Sequence, residues 1–128
     1  MKVKFIAADL EYSAKMIHEF MGMGEFLDMR DNVVYFYPEL EGAETLADVS
    51  ARLRPAYEGL KGELTEKPAI YQSAWDAIQN DIERAIGEIF ELNAEDYFNS
   101  IVCRVSMNPV CPRFLEDNSF DIFYKWSG

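Results

Sequence analysis

The 128 residues are 49% apolar and 14% aromatic, enough for one packed domain and too hydrophobic for a disordered chain. Lys+Arg number 12 against 23 Asp+Glu, a net charge of −11 and a pI near 4.4. Such a surface repels phosphate backbones and anionic lipid, which argues against nucleic-acid or membrane binding. No apolar run approaches the ~20 residues of a membrane span, and the basic Met1–Ala8 is too short for a signal peptide. The expected location is the cytoplasm, with Cys103 and Cys111 reduced.

In chain order, Lys2–Ala7 alternates Val3 and Phe5 with Lys2 and Lys4, which predicts a strand. Asp9 suits an N-cap. Leu10, Ala14, Ile17 and Phe20/Met21 then recur at helical spacing, predicting an amphipathic helix over Leu10–Met21 that Gly22 and Gly24 terminate. Glu25–Met29 and Val33–Tyr37 flank Arg30-Asp31-Asn32, and Asp and Asn tolerate positive φ, so a β-hairpin closed by Pro38 is expected. Residues 1–38 thus read as a β-α-β-β annex to a main unit over 39–128, the two forming one compact domain.

Glu39–Glu44 is an acidic loop. Leu46, Val49, Leu53, Ala56/Tyr57 and Leu60 mark a helix that Pro55 kinks or divides. Thr65-Glu66-Lys67 reads as a linker, and Pro68 fits the first turn of the next helix. Over Pro68–Leu92, Tyr71, Trp75, Ile78, Ile82, Ala85/Ile86 and Ile89 form one face, with Gln72, Gln79 and Glu83 among the polar residues opposite. This long helix, roughly 35 Å at 1.5 Å per residue, is expected to lie across a sheet, with Asn93 as its stop. Ser100–Met107 predicts a strand with Ile101, Cys103, Val105 and Met107 on one face. Asn108-Pro109 and Cys111-Pro112 force an extended loop. Asp117-Asn118 is a turn, and Ser119–Trp126 a last strand. The fold class is α+β: a mixed or antiparallel sheet of four to five strands with three to four helices.

Candidate chemistry is sparse. His18, the one histidine, has no visible partners and is most simply a solvent-facing helix residue. Gly22-Met-Gly-Glu-Phe26 follows a helix, whereas phosphate loops precede one, so it reads as a helix stop. Glu39, Glu41 and Glu44 lack calcium-loop spacing and read as solvated, as do Glu116-Asp117. The aromatic run Val33–Tyr37 is ordinary core material. Two Cys and one His cannot fill a tetrahedral zinc site without carboxylates.

A long helix beginning near Trp75 precedes a strand ending Met-Asn-Pro109, then Cys111-Pro-Arg-Phe-Leu-Glu-Asp-Asn-Ser-Phe-Asp-Ile-Phe-Tyr124. Ala74–Leu92 and Asn99–Tyr124 resemble the region upstream of the active site in a group of bacterial zincin-like metallopeptidases. The resemblance implies that Pro68–Leu92 is a backing helix behind a mixed sheet. It implies that Phe120, Asp121, Ile122, Phe123 and Tyr124 form an edge strand that binds substrate by strand addition. In that family a His-Glu-x-x-His helix follows, and no such motif occurs in these residues. No catalytic residue or metal ligand therefore has a position here, and zinc is expected only if a downstream active-site segment exists.

The expectation is either a fragment cut before the active site or a shortened relative with another role. The start at Met1 and the ending Trp126-Ser-Gly128 favour the fragment. The leading functional expectation is a scaffold and substrate-aligning portion, not catalytic by itself. The alternative is a small acidic cytoplasmic binding or regulatory protein without enzymatic activity. An open Phe120–Tyr124 edge also predicts a homodimer by strand pairing.

Overall fold

The structure, a computed structural model, describes residues 2–22, 27–91, 100–110, 113–115 and 117–125. Its elements run β1 (Lys2–Ala7), α1 (Leu10–Met21), α2 (Leu27–Phe36), a 3-10 turn (Pro38–Leu40), α3 (Leu46–Phe90), β2 (Ser100–Ser106), β3 (Arg113–Leu115) and β4 (Ser119–Phe123). The sheet order is β1-β2-β4-β3. β1, β2 and β4 are parallel, and β3 is antiparallel to β4. The fold is α+β, a four-stranded mixed sheet with a long helix against it.

β1 and α1 form where local signals place them. Asp9 caps α1 by accepting from the Tyr12 N–H at 2.8 Å, and Gly22 closes it with a hydrogen bond to His18 O. Leu10, Ala14, Ile17 and Met21 face the core. Gly24 and Glu25 lie outside the described residues.

The expected hairpin over Glu25–Tyr37 is corrected: Leu27–Phe36 is helical. Met29, Val33 and Phe36/Tyr37 stand at i, i+4 and i+7/i+8, which is also a helix stripe, and burial decides which period wins. Val33 is fully buried, and Tyr37 is buried with its hydroxyl donating to Met107 O at 2.6 Å. A strand would have turned Val33 and Phe36 to opposite faces.

The helix division is corrected as well. α3 is continuous over 45 residues, about 67 Å at 1.5 Å per residue, through Pro55, the expected linker Thr65–Lys67, and Pro68. Each interior proline removes one backbone hydrogen bond, at about 3 kcal/mol. Val49, Leu53 and Leu64 are fully buried from the same helix, at roughly 1.5–3 kcal/mol each, so packing offsets the cost. Thr65 Oγ1 donates to Lys61 O at 2.8 Å, satisfying its hydroxyl within the helix. Thr45 caps the start through Asp48 N, and Glu91, in the left-handed conformation, ends it before the expected stop at Asn93.

α3 packs chiefly on β1 and α1. It runs against β1: Tyr71 meets Phe5 with rings 5.9 Å apart, and Asp76 and Gln79 line a groove with Lys2 and Ser100. One hydrophobic core joins α1, α2, α3, β2 and β4 through Ile17, Val33, Leu53, Val105 and Phe123. The short β3 falls in the stretch that the sequence predicts as loop; three residues carry no periodic signal.

Gly59 and Gly62 lie in α3 on exposed ground, and a Cβ at either position meets nothing within 4 Å. Gly59→Ala and Gly62→Ala should each stabilise by about 0.5–1 kcal/mol, read as a higher urea midpoint at unchanged slope. A loss of stability from both would contradict a continuous helix there.

Candidate functional site

The sheet has two edges, β1 and β3. The expectation that Phe120–Tyr124 forms the open edge is corrected: β4 pairs with β2 over Ser119–Phe123 and with β3 over Ser119–Asp121. The reason is topological. After β2 the chain crosses to β3 on the far side and returns through Asp117-Asn118, Asn118 having φ 57°, so β4 fills the gap between them.

The five candidate residues accordingly lie in this inner strand or directly after it. Phe120 is half-buried against Phe114, ring centroids 5.3 Å apart. Ile122 packs against the core. Phe123 is buried edge-on to Phe36 at 5.0 Å, and Tyr124 is buried beside it. Asp121 is 0% exposed. Its Oδ2 accepts from Ser106 Oγ and Asn108 Nδ2, both at 3.3 Å. Asn108 extends the network, donating to Val110 O and accepting from Val110 N. This network ties β4 to the turn after β2.

The edge role passes to β3. Among the described residues nothing pairs with its outer side, and Phe114 there is 75% exposed. The β1 edge is occupied by a side chain. Gln72 of α3 accepts from Phe5 N and donates to Val3 O, both at 2.9 Å. Its amide makes the two bonds that one residue of a neighbouring parallel strand would make. Asp76, one turn on, accepts from Gln72 Nε2 at 3.0 Å and fixes its orientation. Sequence reading set Gln72 on the solvent face. The signal that could have found it is its placement beside Tyr71 on the border of the apolar stripe.

Of the remaining candidates, His18 Nε2 lies 3.0 Å from Glu44 O, tying α1 to the acidic loop. Arg30 donates to Ala43 O beside it at 2.9 Å. The backbone carbonyls of Glu39 and Glu41 accept from Arg52, so this loop is docked on α3 through its main chain. Among the described residues no cluster of three or more His, Cys, Asp or Glu stands ready to hold a metal ion. Cys103 is a fully buried thiol of β2; Cys111 lies outside the described residues. No helix among the described residues is long and apolar enough to cross a membrane. Comparison of the chain with protein-family models, with curated proteins and with solved structures finds no match.

Two predictions follow from these contacts. Asp121→Ala strands the Ser106 and Asn108 donors and should cost about 2–4 kcal/mol in chemical denaturation; an unchanged midpoint would remove the network from the account. Burial, then the nearby Asp121 carboxylate, pushes the Tyr12 pKa up to about 12, against the opposing Arg104 charge. Burial, with Tyr124 and Glu39 beside it, raises Tyr37 as well. A raised folded pKa means that the unfolded chain loses its phenolic protons first. Stability from this source is therefore complete below pH 10 and is lost as pH rises through 12. Tyr12→Phe should flatten that alkaline fall in thermal melts, and an identical pH profile would refute the assignment.

Proposed function

We propose that this chain is the scaffold and substrate-aligning portion of a zincin-like metallopeptidase, cytoplasmic and not catalytic by itself. The reading rests on the resemblance of Ala74–Leu92 and Asn99–Tyr124 to the region upstream of that family's active site. What supports it most is β3, which is antiparallel and, among the described residues, lies unpaired on its outer side at the edge of a mixed sheet backed by a long helix. An extended peptide adding to β3 gains backbone hydrogen bonds, and the exposed Phe114 ring beside Phe120 offers apolar contact to a side chain. The edge-strand role falls to β3, since β4 is enclosed. On this reading zinc, its ligands and the general base come from a His-Glu-x-x-His segment outside these residues.

The test is the gene past codon 128. An in-frame His-Glu-x-x-His is expected, and a stop codon with no such motif downstream overturns the reading.

A second reading, an acidic regulatory protein for a basic partner, is favoured by the last third of α3. Ile78 and Ile89 there are 47% and 72% exposed and share a helix face with half-buried Ile82 and Ile86. At 100° per residue, Asp81 and Glu88 fall on one rim of this stripe and Asp76 and Glu83 on the other. An amphipathic helix with lysine-rich flanks would match both features. A designed Leu/Lys helical peptide should bind at low salt, weaken as salt rises and fail against Ile82→Glu. Absence of binding at low salt would dismiss this reading.

A further inference from the structure

The face of the sheet that carries Phe114 is apolar from one edge to the other. Strand register sets Phe5, Cys103, Phe120 and Phe114 side by side in one row across β1, β2, β4 and β3. Directly paired residues share a face, so Val105 and Ile122 form the next row on the same side. Lys4, Arg104 and Asp121 stand at the alternate positions and belong to the opposite face.

The cover over the Phe5–Phe114 row thins along its length. At the β1 end Tyr71 of α3 lies against Phe5, ring centroids 5.9 Å apart. Cys103 is fully buried and Phe120 half-buried. Phe114 is 75% exposed, its ring 5.3 Å from that of Phe120 and tilted 32° to it. The row thus ends on a ring with a neighbour to one side. The strand that carries it has, among the described residues, nothing paired with its outer side.

The free backbone groups of a strand edge are satisfied by another extended backbone. Neighbouring strands lie about 4.8 Å apart, so a residue set opposite Phe114 would lengthen the row by one step. Aromatic pairs hold their centroids about 4.5–7 Å apart, and a ring at that step repeats the spacing of the Phe114–Phe120 pair. A charged side chain there would lose water against two rings, and a small one would leave Phe114 bare. β3 spans only three residues, so one position of an added strand stands opposite Phe114, and its sequence neighbours turn to the other face. We infer that the β3 edge selects an extended peptide by a single aromatic side chain placed opposite Phe114. The inference rests on the reading of β3 as the substrate-aligning edge and adds to it the class of side chain recognised.

A second copy of the chain is the less favoured occupant. Stable interfaces engage about 20 residues or more a side, against three in β3. Two chains of net charge −11 also repel one another. A peptide held transiently, as a substrate is, does not need that area.

The test is an NMR titration of the full 128-residue chain with two blocked, uncharged pentapeptides, Ser-Thr-Phe-Thr-Ser and Ser-Thr-Ala-Thr-Ser. The Phe peptide should shift the Phe114, Leu115 and Phe120 amides saturably. It should bind roughly two- to tenfold more tightly than the Ala peptide, the size of one aromatic pair. Phe114→Ala should abolish the preference, the two peptides then binding alike. Equal affinity for the two peptides, or a preference that survives Phe114→Ala, overturns the inference and leaves the open edge standing. No saturable shift at β3 with either peptide overturns the open edge and the inference with it. Shifts of the same amides with protein concentration alone would assign the edge to a second copy, and the peptide assignment would fall.

Discussion

The Gln72 amide is the contact on which the arrangement turns. It fixes a 45-residue helix to the outermost strand, and it closes that strand's edge. A parallel sheet with a bare edge presents unpaired N–H and C=O groups to any other extended chain. Here the carbonyl of Val3 and the amide of Phe5, two residues apart, find both partners in one side chain. The Tyr71–Phe5 ring contact sits beside this pair. Among the described residues nothing pairs with the outer side of β3, whereas on the opposite flank a glutamine occupies the edge at Val3 and Phe5.

At the carboxyl ends of the strands, polar groups knit the layers where apolar packing alone would not. Ser13 Oγ accepts from Met107 N, the Tyr37 hydroxyl donates to Met107 O, and Asp121 gathers Ser106 and Asn108. Three segments far apart in sequence thus converge on the few residues after β2. These bonds carry specificity more than bulk stability, since each gains only about 1 kcal/mol net and costs more when broken on one side. They also explain why the turn at Asn108-Pro109 is buried although the sequence reads it as a breaker.

Local signals made much of the fold legible. The alternation in Lys2–Ala7, the Asp9 cap, the apolar spacing of α1, the strand over Ser100–Ser106 and the Asp117-Asn118 turn each depend on neighbours within a few residues. The failures share a different cause. Val33–Tyr37 has β-forming side chains, but the core takes Val33 and Phe36 together, which a strand would turn to opposite faces, and tertiary burial overrides propensity. Pro55 and Pro68 are strong local breakers, and only long-range burial of Leu53 and Leu64 outweighs them. Strand order is not written in any local pattern, so the sequence sets β4 at an edge, and β3 is too short to announce itself. Of the candidate site residues, Phe120–Phe123 lie in an inner strand and not at an edge. Gln72 is not legible because a polar residue on a helix flank reads as solvated until its partner across the fold is known.

Amide hydrogen exchange at Phe5 tests the central claim most directly. With Gln72 closing the β1 edge, the Phe5 N–H should be protected in the native protein to a degree comparable with the inner-strand amides. Gln72→Ala should release that one amide while leaving those of β2 protected. A Phe5 amide that exchanges as fast in the native chain as in the variant would contradict the closed edge, and with it the assignment of β3 as the side left open.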